Sequence, residues 1–249
     1  MKIFAFIPAR YKSTRFPGKP LALIAGKPMI QHVYELAMSC PEFSDVYVVT
    51  DDQRICDCVY GFTGKAIVTG ERHRSGTDRI YEAASKIGLK KDDIIVNIQG
   101  DQPLFHPSHI SKLVKPFEDD GSILMTTLKW KVTDENPIHS PRDVMVVTDR
   151  QDFAIYFSRS KIPFFRDSGS GEDYYKHLGL YGFRMEFLGQ FTRLPEGVLE
   201  FTEKLEQLRA LEHGFKIKVL ETRFDSMEVD TAGDIEMVEK KLQEKNTQE

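Results

Sequence analysis

Four short runs of β-branched and apolar residues, spaced through the first hundred positions, constrain this chain more than any other feature. They are Ile3–Pro8, Val46–Thr50, Ala66–Val68 and Asp93–Ile98. Each is too short for a buried helix and too uniformly apolar for a strand with one wet face. Between them lie stretches of helical period. Pro28–Ala37 places Ile30, Val33, Tyr34 and Ala37 on one face, with Pro28 suited to a first turn. Thr77–Ile87 does the same with Ile80, Ala83, Ala84 and Ile87. Strand and helix in alternation predict an α/β fold with a mostly parallel sheet flanked by helices.

The second half has a different texture. Ser122–Trp130, Val144–Thr148, Ala154–Phe157 and Lys176–Phe183 read as strands joined by Pro- and charge-rich loops, the longest being Thr133–Arg142. Leu199–His213 has helical period up to a stop at Gly214, Lys216–Leu220 reads as a strand, and Thr231 with Asp234 reads as the start of a last helix. At 249 residues without repeats or an evident linker, the expectation is one domain over 1–249. A strand-rich insertion occupies about 122–200.

Charge excludes some partners. A net charge of −4 and a pI near 6.0 argue against nucleic acid. The first apolar run, Ile3–Ile7, is five residues long, too short for a signal sequence or a membrane span. That predicts a cytoplasmic chain without membrane insertion. Cys40, Cys56 and Cys58 form no disulfide framework, and no second pair completes a metal set around Cys56 and Cys58.

The chemistry concentrates where strands end. In open α/β sheets ligands bind beyond the carboxyl ends of strands, at the point where the strand order reverses. After the first strand comes PARYKSTRFPGKP, which packs Arg10, Lys12, Arg15 and Lys19 together with Ser13 and Thr14. Four neighbouring cations repel unless an anion lies between them, so the loop reads as a phosphate grip. It has neither the Walker GxxxxGK[ST] pattern nor a dinucleotide GxGxxG, so side chains carry the phosphates. Asp51-Asp52 and Gln99-Gly100-Asp101 fall on the same edge. Asp101 and Asp230 each follow an apolar stretch. Either alone also reads as a helix cap, but as a pair beside a phosphate loop they suit Mg²⁺. Arg159, after an apolar strand, is expected as a buried guanidinium for carboxylate recognition. His177 alone reads as a hydrogen-bonded core histidine, and Glu206, Gln207 and Arg209 read equally as a solvated helix face.

The segments IPARYKSTRFPGKPL, RSGTDR, NIQGDQP, YFSRSKIP, HLGLYGF, LEQLRAL and VDTAGDIE run collinearly through nearly the whole chain. Together they resemble the 3-deoxy-manno-octulosonate (Kdo) cytidylyltransferases. The resemblance implies a nucleotide-diphospho-sugar transferase-like fold, usually homodimeric. It also implies a reaction in which CTP and Kdo, an acidic eight-carbon sugar, give CMP-Kdo and pyrophosphate for lipopolysaccharide synthesis. By position, Arg10, Ser13, Arg15 and Lys19 would hold the triphosphate. Ala9, Arg74, Ser75 and Gly76 would hold the cytidine. Gln99, Arg159, Arg166, His177, Tyr181, Glu206 and Gln207 would line the sugar pocket, and Asp101 and Asp230 would hold Mg²⁺. Arg15, Lys19 and Asp101 carry the catalytic roles; no residue declares itself a general base.

Two positions depart from the family pattern. Met145 stands in VMVV where many members have Lys, and Glu228 stands in MEVDT where many have Gly. A carboxylate at 228 suits an amine, which keeps 8-amino-3,8-dideoxy-manno-octulosonate as an alternative substrate. CMP-sialate synthesis and a non-catalytic nucleotide-binding protein are the further readings. The contiguous YFSRSKIP and HLGLYGF segments favour the Kdo group over the first. The intact set of Arg15, Lys19, Asp101 and Asp230 favours catalysis over the second.

Overall fold

The computed structural model describes residues 1–12, 16–133, 143–167 and 173–246. The first half supplies β1 (Ile3–Pro8), the hairpin β2 (Leu23–Ile24) and β3 (Lys27–Pro28), α1 (Met29–Met38), β4 (Asp45–Thr50), α2 (Gln53–Gly61), β5 (Ala66–Val68), α3 (Gly76–Lys86) and β6 (Ile94–Asn97). The second supplies α4 (Ser108–Asp119), β7 (Met125–Lys131), β8 (Met145–Thr148), β9 (Ala154–Ser158), β10 (Tyr175–Arg184) and α5 (Met185–Phe191). It ends with α6 (Val198–Glu203), α7 (Leu208–Glu212), β11 (Lys218–Thr222) and α8 (Ala232–Asn246).

One sheet collects strands from both halves in the order β11-β7-β10-β6-β1-β4-β5, with β8 and β9 branching from β10. The segment β6-β1-β4-β5 is parallel, as the uniformly apolar runs predict. Strand β10 then runs antiparallel to both neighbours, and β11 is parallel to β7. Thus β7 to β10, from the stretch read as an insertion, belong to the same sheet as β1.

Alternation along β1 divides the core. Ala5 and Ile7 face one layer, where Ile30 and Val33 of α1, Ile55 and Val59 of α2 and Ile110 and Leu113 of α4 pack. Phe4 and Phe6 face the other, against Ile80 and Ala84 of α3 and Phe187 and Phe191 of α5. A small third core joins Ile24 and Met29 to Val229 and Val238. It clamps α8 onto the β2–β3 hairpin, and so carries Glu228–Asp230 back to the edge where β1 and β6 end.

Two local expectations are corrected. Leu199–His213 is not one helix. Lys204 takes a left-handed φ of 54° that ends α6, and Leu205 turns into the core before α7 begins. The buried Glu200–Arg209 pair, with contacts of 2.5 and 2.7 Å, spans that break. Pro28 lies just before α1 and pairs across the hairpin rather than sitting in the first turn. Helices α2, α4 and α5 carry no distinct signal in the reading above. Packing on the sheet positions them, α4 through Ile110, Leu113, Val114 and Phe117.

Candidate active site

The chain passes from β1 to β4 on one side and later places β6 on the other, so the strand order reverses between β1 and β6. Three groups meet at that point. Gly100, after β6, lies so close to β1 that a Cβ there would stand 2.9 Å from the Pro8 carbonyl oxygen. Gly76 opens α3 against the Pro8 ring, with Ser75 as N-cap accepting from the Asp78 amide. Glycine at both positions allows the three segments to share one floor.

On that floor Lys19 is gripped from two directions. Its ammonium lies 2.5 Å from an Asp101 carboxylate oxygen, 3.7 Å from one of Asp230, and donates to the Val229 carbonyl at 2.7 Å. The Val229 amide returns a bond to the Asp101 carbonyl at 2.9 Å. Asp101 and Asp230, 129 residues apart in sequence, therefore converge on a single cationic atom. Both carboxylates face the Lys19 ammonium, and as neighbouring oxygen donors they are of the type that suits a hard divalent cation shared with phosphate and water oxygens. Among the described residues no group of three or more His, Cys, Asp or Glu forms a self-sufficient metal cage.

Arg10 leaves β1 towards α3, donating to the His73 carbonyl at 3.3 Å. Burial and then the Arg79 guanidinium lower its pKa. Ala9 is buried, with its amide bonded to Val49. Arg74 is exposed and turns to Asp78 at 3.4 Å and to the Thr192 carbonyl at 3.0 Å. Ser13 and Arg15 lie outside the described residues. Arg79, which the sequence reading passed over although it ends the RSGTDR segment, is fully buried. It pairs with Asp51 at 3.0 Å and with the Thr69 hydroxyl. Asp52 caps α2 instead of facing the site.

The proposed sugar residues form a second wall. Gln99 donates to the Gly179 carbonyl at 3.1 Å. Gln102, also passed over within NIQGDQP, donates to Glu228 at 3.0 Å. Tyr181 is half-buried; burial, then the charges of Glu206 and Glu228, push its pKa well up. Glu206 accepts from Thr77 at 2.7 Å, and burial raises its pKa. Gln207 is buried. These two turn inward because α6 breaks at Lys204, which settles the choice left open above against a solvated face. Glu228 is exposed as a residue, yet its carboxylate is held against Gln102. Burial first, and the neighbouring Asp101 charge second, push its pKa up to about 7.

His177 is a core histidine. It packs edge-on against Phe157 and bonds the Thr127 hydroxyl at 2.9 Å, while that hydroxyl donates to the Leu180 carbonyl. Burial pushes its pKa down to about 3. Arg159 departs from expectation. It is exposed rather than buried, because its guanidinium donates outward to the Glu203 and Lys204 carbonyls at 2.7 and 3.4 Å. Arg166 is exposed in the segment after β9. The cysteines are free, and burial raises the Cys40 thiol to about 11 and the Cys56 and Cys58 thiols above their ordinary value.

His109 supplies a pH test of this framework. It is buried, donates from Nε2 to the Phe224 carbonyl at 3.1 Å, and is pushed down to about 4 by burial. The folded state thus holds it neutral while the unfolded chain protonates below the usual value of 6.5. Stability is fully present above about pH 6.5 and falls as pH drops towards 4, by on the order of 3 kcal/mol from this group. His177 adds to the same slope down to about 3. Thermal melts from pH 7 to 4.5 should show the fall, and His109→Gln should flatten part of it. A flat profile would contradict the buried neutral state.

A family model described as cytidylyltransferase matches residues 4–218. The 3-deoxy-manno-octulosonate cytidylyltransferase 2 of Hydrogenovibrio crunogenus is 53% identical over 242 residues, covering 96% of this chain and 97% of its own. The chain belongs to the 3-deoxy-manno-octulosonate cytidylyltransferase family. A relative of this cytidylyltransferase in Shewanella piezotolerans, named for the 8-amino-3,8-dideoxy sugar, is 52% identical over 97% of this chain and 99% of its own. The solved structure of CMP:2-keto-3-deoxy-manno-octonic acid synthetase complexed with CTP matches with a TM-score of 0.92 at 40% identity. It covers 98% of this chain and 100% of its own. The fold expected from sequence is therefore the fold found. Among the described residues no helix is long and apolar enough to cross a membrane.

Proposed function

We propose that this cytidylyltransferase joins CTP to Kdo, giving CMP-Kdo and pyrophosphate for lipopolysaccharide synthesis, and that it depends on Mg²⁺. The observation that carries the reading is the convergence of Lys19, Asp101 and Asp230 beside the wall of Gln99, Tyr181 and Glu206. A triphosphate grip and a sugar pocket share one floor.

The anomeric C2 hydroxyl attacks the α-phosphorus in line and pyrophosphate leaves. The protein forms no covalent bond; it orients two anionic reactants and offsets their charge. Arg10, Ser13, Arg15 and Lys19 hold the triphosphate, and Arg15 and Lys19 neutralise charge that grows on pyrophosphate. Ala9, Arg74, Ser75 and Gly76 hold the cytidine. Gln99, Arg159, Arg166, His177, Tyr181, Glu206 and Gln207 set the sugar acid. Buried and neutral, His177 acts there as a rigid support for Tyr181, whose ring centroid is 5.4 Å away. Asp101 and Asp230 would hold Mg²⁺, which when bound neutralises phosphate charge and acidifies the attacking hydroxyl.

The reading includes a cytoplasmic homodimer. Ile155, Phe164, Val198 and Phe201 are exposed apolar side chains that a second copy would cover. A second substrate reading, the 8-amino sugar with the same chemistry, is favoured by the Glu228 carboxylate in the wall.

The test is pyrophosphate release with Mg²⁺, CTP and one of three acids: Kdo, the 8-amino sugar or N-acetylneuraminate. Release is expected with the octulosonates and at least about a hundredfold less with N-acetylneuraminate, which presents a different shape to the pocket. Silence with all three would end the enzymatic reading.

A further inference from the structure

The mechanism above leaves the Glu228 carboxylate without a task. It sits among negative charge: Asp101 and Asp230 are its neighbours, and among the described residues no cation pairs with it. The nearby cations are engaged elsewhere. Lys19 is held by Asp101 and Asp230, and Lys176 by Asp225 at 3.0 Å and Asp143 at 3.7 Å. Among the described residues the hydrogen-bond partner of Glu228 is a neutral amide, Gln102 Nε2 at 3.0 Å. Facing a carboxylate fixes that amide's orientation, which leaves Gln102 Oε1 as a buried acceptor that meets no donor among the described residues. Gln102 itself is fully buried.

The Glu228 carboxylate thus carries a full charge against one neutral donor, with the buried Gln102 Oε1 beside it. The strand opposite leaves room before them: a Cβ on Gly179 would stand 3.5 Å from Glu228 Oε1, 3.6 Å from Gln102 Nε2 and 3.8 Å from Gln99 Cγ. A sugar hydroxyl brings one donor and no charge. A primary ammonium brings three donors and a positive charge, and so makes a charge-assisted bond to the Glu228 carboxylate where a hydroxyl makes a weaker, singly charged one.

We propose that Glu228, backed by Gln102, is the specificity-determining residue of the sugar pocket and receives a primary ammonium on the sugar acid, making the amino sugar the preferred substrate. This rests on the cytidylyltransferase reading and, of its two octulosonate substrates, places the 8-amino sugar ahead of Kdo. Gly179 keeps the approach open, and Gln102 holds the carboxylate in place.

The experiment measures kcat/KM for the 8-amino sugar and for Kdo, at saturating CTP and Mg²⁺, in the wild type, Glu228→Gln and Glu228→Gly. The wild type should favour the amino sugar by about tenfold or more. Glu228→Gln, which keeps the shape and removes the charge, should collapse that preference by a similar factor, chiefly through KM for the amino sugar. Glu228→Gly should move the ratio the same way. An unmoved ratio, or an equal fall with both sugars accompanied by a raised Mg²⁺ requirement, would overturn the proposal and make Glu228 a part of the metal locus. Absence of pyrophosphate release with either sugar in the wild type is a separate result. It removes the parent reading together with this one.

Discussion

Asp101→Asn should lower turnover by roughly a thousandfold or more while the protein stays folded. The change removes one negative charge from the point where Lys19, Asp101 and Asp230 meet, and keeps the side chain's size. Lys19 loses its 2.5 Å ionic partner and retains Asp230 at 3.7 Å and the Val229 carbonyl. The backbone bond from Val229 to the Asp101 carbonyl is untouched, so the return of the Glu228–Asp230 segment survives. Since the pair is partly open to solvent, the loss in stability should stay within about 1 kcal/mol. Steady-state pyrophosphate release across an Mg²⁺ series, beside a thermal melt, separates the two effects. The fall should be in kcat and should not be recovered fully by more Mg²⁺. Near-normal turnover would remove Asp101 from the proposed metal locus.

Glu200→Ala should destabilise the fold by about 3–5 kcal/mol, which lowers the melting temperature by on the order of 10 °C. Both partners of the Glu200–Arg209 pair are buried, and removing the carboxylate strands a guanidinium that already has one nitrogen, Nη1, without a partner. The guanidinium carbon also lies 5.0 Å from the centre of the Phe191 ring, so its displacement disturbs the α5 core. The pair ties α6 to α7 across the break that presents Glu206 and Gln207, so KM for the sugar acid should rise even below the melting temperature. Replacing both partners, as Glu200→Met with Arg209→Leu, should recover much of the stability, because no buried charge is left alone. A single variant that melts within about 2 °C of the wild type would show that the pair is not holding the break.

Much of the site was legible because its chemistry is written at strand ends. Val46–Thr50 and Asp93–Ile98 fold as strands because β-branched residues with no polar alternation suit only a sheet covered on both faces. The helix over 199–213 was misread for the opposite reason. Its leucines keep helical spacing, but a buried ion pair and a left-handed Lys204 impose a break that periodicity does not encode. Arg159 was misjudged because an apolar strand suggests burial for the residue that follows. The chain instead turns outward, and carbonyls at the end of α6 take up the guanidinium. Gln102 and Arg79 lay inside motifs whose other members carried the argument, and only their burial with unmet hydrogen bonds separates them. The closeness of Glu228 to Gln102 and Gly179 depends on the third core, formed by Ile24, Met29, Val229 and Val238, which joins segments some two hundred residues apart.

The most direct measurement is phosphorus NMR of CTP incubated with the protein, Mg²⁺ and an octulosonate. The α-phosphorus signal should move to that of a phosphodiester between CMP and the sugar's C2 oxygen, with one equivalent of pyrophosphate. Omitting the sugar should leave CTP intact. Formation of CDP, sugar-independent release of CMP, or unchanged CTP with both the Kdo and the 8-amino acid would contradict nucleotidyl transfer at the Lys19–Asp101–Asp230 floor.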